Sequence, residues 1–289
     1  MTHNATTRYL VTGARGMLGT DVVLALAGRE VTALDRSQLD ITDAAAVDAA
    51  VADHDVVINA AAYTRVDDAE THESEAGEIN ATGAGLLASA AQRSGARLVQ
   101  VSTDYVFDGT ARVPYAEDAP RHPVSAYGRT KAKGEELVLA AHPGGTLIVR
   151  TAWLYGAHGP NFAKTMRRLA AERETLAVVD DQVGQPTWTL DLARGIVELL
   201  DVEAPAGIYH CTNSGQASWC DFARAVFAEA GLDPERITPT DSASFPRPAP
   251  RPAYSVLGHA TWKRAGLAPL RDWREALAEA SRAGATQPD

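Results

Sequence analysis

A tyrosine and a lysine stand four residues apart in the stretch SAYGRTK, as Tyr127 and Lys131. A free phenol ionises near pH ~10 and is a poor proton donor or acceptor at neutrality unless its surroundings change. Helical spacing brings both side chains to one face, but ordinary surface pairs share that spacing. A chemical role therefore needs partners from elsewhere in the chain.

A second stretch with chemical meaning is VTGARGMLG. It places Gly13, Gly16 and Gly19 directly after an apolar run and at the start of a helical pattern. Such a turn lets backbone approach a pyrophosphate and aims free N–H groups at it from a helix N-terminus. Arg15, Met17 and Leu18 belong to the same turn. Asp35 lies 22 residues beyond Gly13, at the end of the second apolar run, where a carboxylate can accept a hydrogen bond from a ribose hydroxyl. The charge of Asp35 favours NADH. Arg36 beside it and Arg15 suit a 2′-phosphate, so the expected cofactor is NADPH or NADH. Asp40 and Ile41 in QLDITD are placed toward the adenine end, although Asp40 is equally a candidate helix N-cap. Ala61, Ala62, Tyr63 and Thr64 in NAAAYT offer close backbone approach to the middle of the cofactor, or plain strand-end packing.

The elements that carry these residues follow from periodicity. RYLVTG (8–13), EVTALD (30–35), DVVINAAA (55–62), ARLVQVST (96–103) and TLIVRTAW (146–153) read as buried strands. Helical patterns separate them, one ending on Gly95. This alternation predicts a Rossmann-like α/β fold, a doubly wound parallel sheet. After about residue 155 the pattern changes. LAVVDDQVGQPT reads as one further strand and turn, TLDLARGIVELL as a helix, and SWCDFARAVFAEAG as a helix with Ser218 as N-cap and Gly231 past its end. FPRPAPRP (245–252) reads as an extended loop. The expected division is a Rossmann domain over 1–155 and, over 156–289, a smaller C-terminal substrate-binding lobe with some segments returning to the sheet.

Bulk properties narrow the class. A formal charge of −10 over 289 residues argues against general nucleic-acid binding. No apolar stretch reaches the ~20 residues of a membrane span, and MTHNATTRYLVTG lacks a basic-then-apolar leader, so the expectation is cytoplasmic. Cys211 and Cys220 form no metal pattern or disulfide framework, and binding of a divalent metal stays open.

The glycine turn, NAAAYT, VSTDYVFDG, AYGRTK, VRTAW, NFAKTMRRLA, VVDDQVGQPT and FPRPAPRP occur in one order. Together they resemble the extended short-chain dehydrogenase/reductase family, nearly end to end. Its nearest branch reduces dTDP-linked 4-keto-6-deoxysugars. That resemblance implies Tyr127 as general acid, Lys131 as its electrostatic partner and Thr103 as the hydroxyl that positions the ketone, with Tyr127 and Lys131 also on the cofactor and Lys131 holding the nicotinamide ribose. Charges ~4 Å apart at an effective dielectric of ~20 interact by about 4 kcal/mol, so Lys131 is expected to lower the Tyr127 pKa by roughly three units. Ser102 and Thr103 point to opposite faces, and the resemblance selects Thr103.

Related dehydratases carry Asp-Glu after the threonine. Here the residues are Asp104 and Tyr105, which favours reduction, with Asp104 and Phe107 toward the substrate. Trp153 matches a position that packs on the sugar, and Asn161 and Phe162 are candidates for the base. Gln185 is a further substrate contact, and Arg247 and Arg251 are candidates for the diphosphate. Asn80 matches a helix asparagine that holds the site, or serves as a surface or capping residue. The implied reaction is NAD(P)H-dependent reduction of dTDP-6-deoxy-L-lyxo-4-hexulose to dTDP-L-rhamnose, by a possible homodimer. The alternatives are a 4-ketoreductase for another dTDP-deoxysugar and a non-catalytic NAD(P)-binding regulatory subunit.

Overall fold

A computed structural model describes residues 7–288; residues 1–6 of the stretch read for a leader lie outside it. The strands in chain order are β1 (Arg8–Thr12), β2 (Glu30–Leu34), β3 (Val56–Asn59), β4 (Arg97–Thr103), β5 (Thr146–Thr151), β6 (Leu154–Tyr155), β7 (Leu176–Val179), β8 (Val183–Gly184), β9 (Thr187–Trp188), β10 (Gly207–His210), β11 (Ala217–Ser218) and β12 (Ile237–Thr240). Six of them form one sheet in the order β10-β5-β4-β3-β1-β2, with every pair parallel. The order reverses between β1 and β3, which opens a crevice at their carboxyl ends.

Both faces of this sheet are covered, so consecutive strand residues are apolar rather than alternating. Leu10, Val57 and Leu98 join Val47 of α2 (Ala44–Val51), Leu87 of α4 (Ala84–Ser94) and Val138 of α5 (Ala126–Ala141). Their neighbours Val11, Ile58 and Val99 join Val22 of α1 (Met17–Ala25) and Ile196 of α7 (Thr189–Asp201) on the opposite face. Two short helices, α3 (Glu73–Gly77) and α9 (Ala260–Arg264), lie in the connections. The strand β2 departs from the sequence reading: it is mostly exposed, because it lies at the sheet edge with β1 as its one paired strand among the described residues, and only Val31 and Leu34 pack against the core. LAVVDDQVGQPT also differs from one strand and turn. Its segments β7, β8 and β9 pair separately with β12, β11 and β6.

A second apolar cluster joins Met166 of α6 (Phe162–Glu172), Phe222 and Phe227 of α8 (Trp219–Glu229), and Trp273 and Leu277 of α10 (Trp273–Arg282). Ser218 caps α8 through a reciprocal box with Asp221. The cap of α2 is Asp43 rather than Asp40, which instead closes a local turn onto Thr42. Among the described residues, no helix is long and apolar enough to cross a membrane.

A buried ionic cluster pins α5 to the sheet. Glu135 of α5 holds Arg150 of β5 in a two-pronged pair at 2.9 and 2.7 Å and accepts from Ser102 of β4 at 2.6 Å; Arg121 approaches at 3.3 Å. His210 of β10 lies 3.3 Å from Arg150, with its other ring nitrogen on the Gly258 carbonyl. Burial first, and Arg150 second, push the His210 pKa from 6.5 to about 3. The unfolded chain therefore takes up this proton well before the fold does. Stability from this residue is intact above pH 6.5 and is lost as pH falls toward 3. His210→Gln is expected to flatten the fall in thermal midpoint across that window. An unchanged slope would assign the acid limit to other groups.

Candidate active site

A groove of about 500 Å³ lies in the crevice between β1 and β3. Gly13, Arg15, Gly16, Asp35, Arg36, Asp40, Ile41, Ala61 and Ala62 line it, and Ser37, Leu39, Ala60 and Ile79, not read from the sequence, complete it. The glycines are sterically required. Gly13 sits at φ +66° and a Cβ on it would lie 2.7 Å from the Ala61 backbone; one on Gly19 would lie 2.1 Å from the Gly13 carbonyl oxygen. A hydrogen-bonded file holds the strand ends in register. Thr12 donates to Asn59 at 2.6 Å and Asn59 to Gln100 at 2.8 Å, while the Ala61 N–H donates back to Asn59.

Asp35 accepts from the Ser37 hydroxyl and N–H, and Arg15 stands 2.9 Å away; the Ser37 hydroxyl foremost holds its carboxyl below the usual range. Seven residues of the expected cofactor set do not line this groove: Met17, Leu18, Gly19, Tyr63, Thr64, Tyr127 and Lys131. Leu18 is in the core, because its side chain faces α7, and Met17 lies at the start of α1 near Asn161. Tyr63 turns its hydroxyl to Asp68 and Arg65, and Thr64 is exposed. Gly19 serves the turn by close packing.

The second group of candidates gathers at the end of β4 and the first two turns of α5. Ser102 and Thr103 do diverge: Ser102 reaches Glu135, whereas Thr103 donates to Asp104 at 3.0 Å, accepts from the Tyr105 N–H at 3.2 Å and lies close enough to Tyr127 to act on its pKa. Ser125 caps α5 by accepting from the Gly128 N–H at 3.1 Å, and Glu70 accepts from the Ala126 N–H at 2.8 Å. A Cβ on Gly128 would lie 2.2 Å from the Tyr105 carbonyl oxygen, so this glycine lets Tyr127 approach the end of β4. The Tyr105 and Tyr127 rings meet edge to face at 5.6 Å. Asn80 is buried in a π-helical turn (Glu78–Gly83), neither a surface residue nor a cap. It brackets the Tyr63 main chain and donates to Thr130 of α5 at 3.1 Å.

The electrostatics correct one expectation. The Tyr127 pKa is raised, to about 12, by burial, with Thr103 opposing and Asp104 adding to the rise. Lys131 is not what controls it: its ammonium donates to the Val101 carbonyl at 2.7 Å, and burial lowers its pKa to about 8 against the pull of Glu135. The low-dielectric enclosure outweighs a cation that is turned toward the strand.

The residues expected around the sugar nucleotide separate into two kinds. Trp153 adopts φ 45°, a left-handed backbone unusual for a bulky residue. It stacks on Trp219 at 3.6 Å, over Gly184. Arg247 and Arg251 converge on one carboxylate, Asp67, at 3.2 and 2.9 Å. Four others are committed elsewhere. Phe107 is fully buried and stacks on Tyr115 at 4.2 Å. Asn161 caps α6 and donates to the Gly156 carbonyl, and its neighbour Phe162 packs on Trp219 and Phe222. The Gln185 amide is taken at both ends by the Leu257 main chain. In each case the sequence offered a polar or aromatic residue near a strand end, and tertiary neighbours claimed it. Asp67, Ser37 and Trp219 escaped the sequence reading. Only Ser37 carried a signal, as a hydroxyl two residues after an aspartate.

The comparisons with known proteins point one way. The family model described as the RmlD substrate binding domain matches residues 7–285. The chain is 54% identical over 280 residues to a probable dTDP-4,6-dihydroxy-2-methyloxan-3-one 4-ketoreductase of Streptomyces antibioticus, covering 94% of both chains. It is 53% identical to a dTDP-4-dehydrorhamnose reductase of Streptomyces griseus, over 94% of this chain and 92% of that one. It superimposes with a TM-score of 0.92, at 38% identity, on the crystal structure of a Bacillus anthracis dTDP-4-dehydrorhamnose reductase in complex with NADP, covering 96% of this chain and 99% of the other.

Proposed function

We propose that this chain, which belongs to the RmlD substrate-binding-domain family within the extended short-chain dehydrogenases/reductases, reduces the C4 ketone of dTDP-6-deoxy-L-lyxo-4-hexulose to dTDP-L-rhamnose with NADPH or NADH. What supports this reading is Thr103 at the end of β4 close to Tyr127, with Lys131 one turn further along α5, together with a glycine-walled groove at the β1/β3 reversal. The groove fits a dinucleotide because its floor is backbone that no Cβ obstructs. Such a cofactor, when bound, supplies the hydride. Tyr127, protonated throughout the neutral range, donates its hydroxyl proton to the C4 oxygen. Thr103 orients that oxygen, and Lys131 keeps a positive charge one helical turn from the phenol. Arg247 and Arg251 turn from Asp67 toward the diphosphate, and the Trp153–Trp219 stack offers an apolar face to the sugar. In this reading residues 1–155 carry the cofactor and the reacting groups, and 156–289 carry mainly the sugar nucleotide.

The test is product analysis after incubation of the ketosugar with each reduced cofactor. Formation of dTDP-L-rhamnose with stoichiometric cofactor oxidation is the expected result, and no turnover with either cofactor overturns the reading. The Streptomyces antibioticus relative favours a second reading, reduction of a different dTDP-4-ketosugar, and turnover ratios across several ketosugars separate the two. A purely regulatory role does not account for the three intact side chains.

Cofactor choice has its own test. Asp35→Ala removes the charge facing a 2′-phosphate and leaves Arg15 and Arg36 in place. The ratio of kcat/KM for NADPH over NADH is expected to rise by about tenfold or more, equivalent to about 1.4 kcal/mol. An unchanged ratio would remove Asp35 from cofactor discrimination.

A further inference from the structure

We propose that Asp67 is an internal stand-in for the diphosphate of the sugar nucleotide: it holds Arg247 and Arg251 between turnovers and competes with the diphosphate for them, which hastens product release. The proposal rests on the reading of these two arginines as diphosphate ligands and adds what occupies them otherwise. Arg247 Nη2 lies 3.2 Å from Asp67 Oδ2, and Arg251 Nη2 lies 2.9 Å from Oδ1. Between them the Ala249 N–H donates to Oδ1 at 3.2 Å, across 182 residues of chain. One carboxylate thus takes three donors from a single proline-rich loop. Two guanidinium groups drawn this close repel each other unless an anion stands between them. Their forks fit carboxylate and phosphate oxygens alike, so a diphosphate, with more charge and more oxygens, is a ligand of the same kind.

The carboxylate sits on a fixed segment. Asp67 precedes the short turn Asp68–Glu70, where Tyr63 donates to Asp68 and the Ala126 N–H of α5 donates to Glu70 at 2.8 Å. The loop is anchored at both ends without Asp67. Ser242 donates twice to Asp181, at 2.9 and 2.7 Å, and the Tyr254 N–H donates to the Gly109 carbonyl at 3.2 Å. Pro252 packs so closely on Gly109 that a Cβ there would lie 2.5 Å from it. What Asp67 grips is therefore the middle of the loop. The Arg247 side chain is 52% exposed and free to swing, while that of Arg251 is 17% exposed. The Arg251 guanidinium stands 5.9 Å from the Tyr105 ring, whose edge contact with Tyr127 joins the clamp to the proton donor.

A strut that merely presented the arginines would aid diphosphate binding. The geometry points to the opposite sign. Both ion pairs must break before the two forks can turn to a diphosphate, and Asp67, on its fixed segment, stays close enough to repel the ligand afterwards.

Asp67→Asn keeps the shape and an acceptor for the Ala249 N–H and removes the charge. In calorimetric titrations with dTDP, the Kd of the variant is expected to be roughly 3- to 30-fold lower than that of wild type, the worth of two partly exposed ion pairs. KM for the ketosugar is expected to fall by a similar factor, and kcat not to rise, since product is held longer. Unchanged or weaker dTDP binding would make Asp67 a strut and overturn the proposal. With Arg247→Gln already in place, the gain from Asp67→Asn is expected to shrink, because one of the two pairs is gone. A gain of full size there would assign it to the lost negative charge in general and overturn the clamp. If dTDP binds neither wild type nor variant, the arginines are not diphosphate ligands and the proposal falls with them. If the variant binds dTDP more tightly but wild type reduces no dTDP-ketosugar, the clamp stands and the functional reading fails instead.

Discussion

Tyr127→Phe is expected to lower kcat by roughly 10²–10⁴-fold, the usual contribution of a positioned general acid, with NADPH affinity unchanged in a fluorescence titration. The substitution removes one oxygen. The ring keeps its edge contact with Tyr105, and the helix cap at Ser125 and the Gly128 approach to Tyr105 are main-chain features that remain. The cofactor groove is lined by other residues. Loss of turnover with retained binding therefore isolates proton transfer. The raised pKa gives the reaction its sense, because a phenol held near 12 is a resting donor rather than a base. Tyr105 occupies the position where a dehydratase has a glutamate, and burial pushes its pKa upward as well, so no second base is available there. Turnover near wild-type rates in Tyr127→Phe would remove this residue from the chemistry.

The largest expected loss of stability lies in the cluster beneath that tyrosine. Glu135→Gln leaves the Arg150 guanidinium, 1% exposed, without its countercharge. Breaking a buried pair from one side typically costs about 3–5 kcal/mol, and denaturant unfolding is expected to show a loss of that size. The double variant Glu135→Leu with Arg150→Met, which removes both charges, is expected to recover most of it. A double variant as unstable as the single one would show that the network holds β4, β5 and α5 in a way apolar packing does not replace. By contrast Glu172→Gln, which breaks the half-exposed pair with Arg168, is expected to produce no measurable change, since solvent screens it. Glu135 also lies one turn beyond Lys131 and favours its charged form. Glu135→Gln should thus depress the Lys131 pKa further and couple stability to activity.

Much of the cofactor half was legible in the chain. Strand runs separated by helical patterns, glycines at a first βα turn and an aspartate at the next strand end are local signals, each set by backbone sterics or by periodicity. They placed nine of the named residues on one groove. Thr103, Tyr127 and Lys131 were singled out by the family resemblance, since the four-residue spacing alone fits ordinary surface pairs and the strand end alone does not choose between Ser102 and Thr103.

The substrate half was less legible. Phe107, Asn161 and Gln185 have residue types suited to ligand contact, but stacking, capping and main-chain pairing use them up. Those partners lie as far as 72 residues away, and no local pattern records them. The short strands β7, β8 and β9 likewise took their pairing from distant segments.

Composition, periodicity and spacing thus determined the sheet and the glycine turn, because each depends on neighbours within one or two turns of chain, while the expected reacting groups came from the family resemblance. The tertiary structure alone decided their protonation. Tyr127 is held high by enclosure, Lys131 is turned to a strand carbonyl, and Asp104 is sealed with one oxygen unpaired. The free energy of a charge depends on everything packed around it, and that surrounding exists only once the chain has folded.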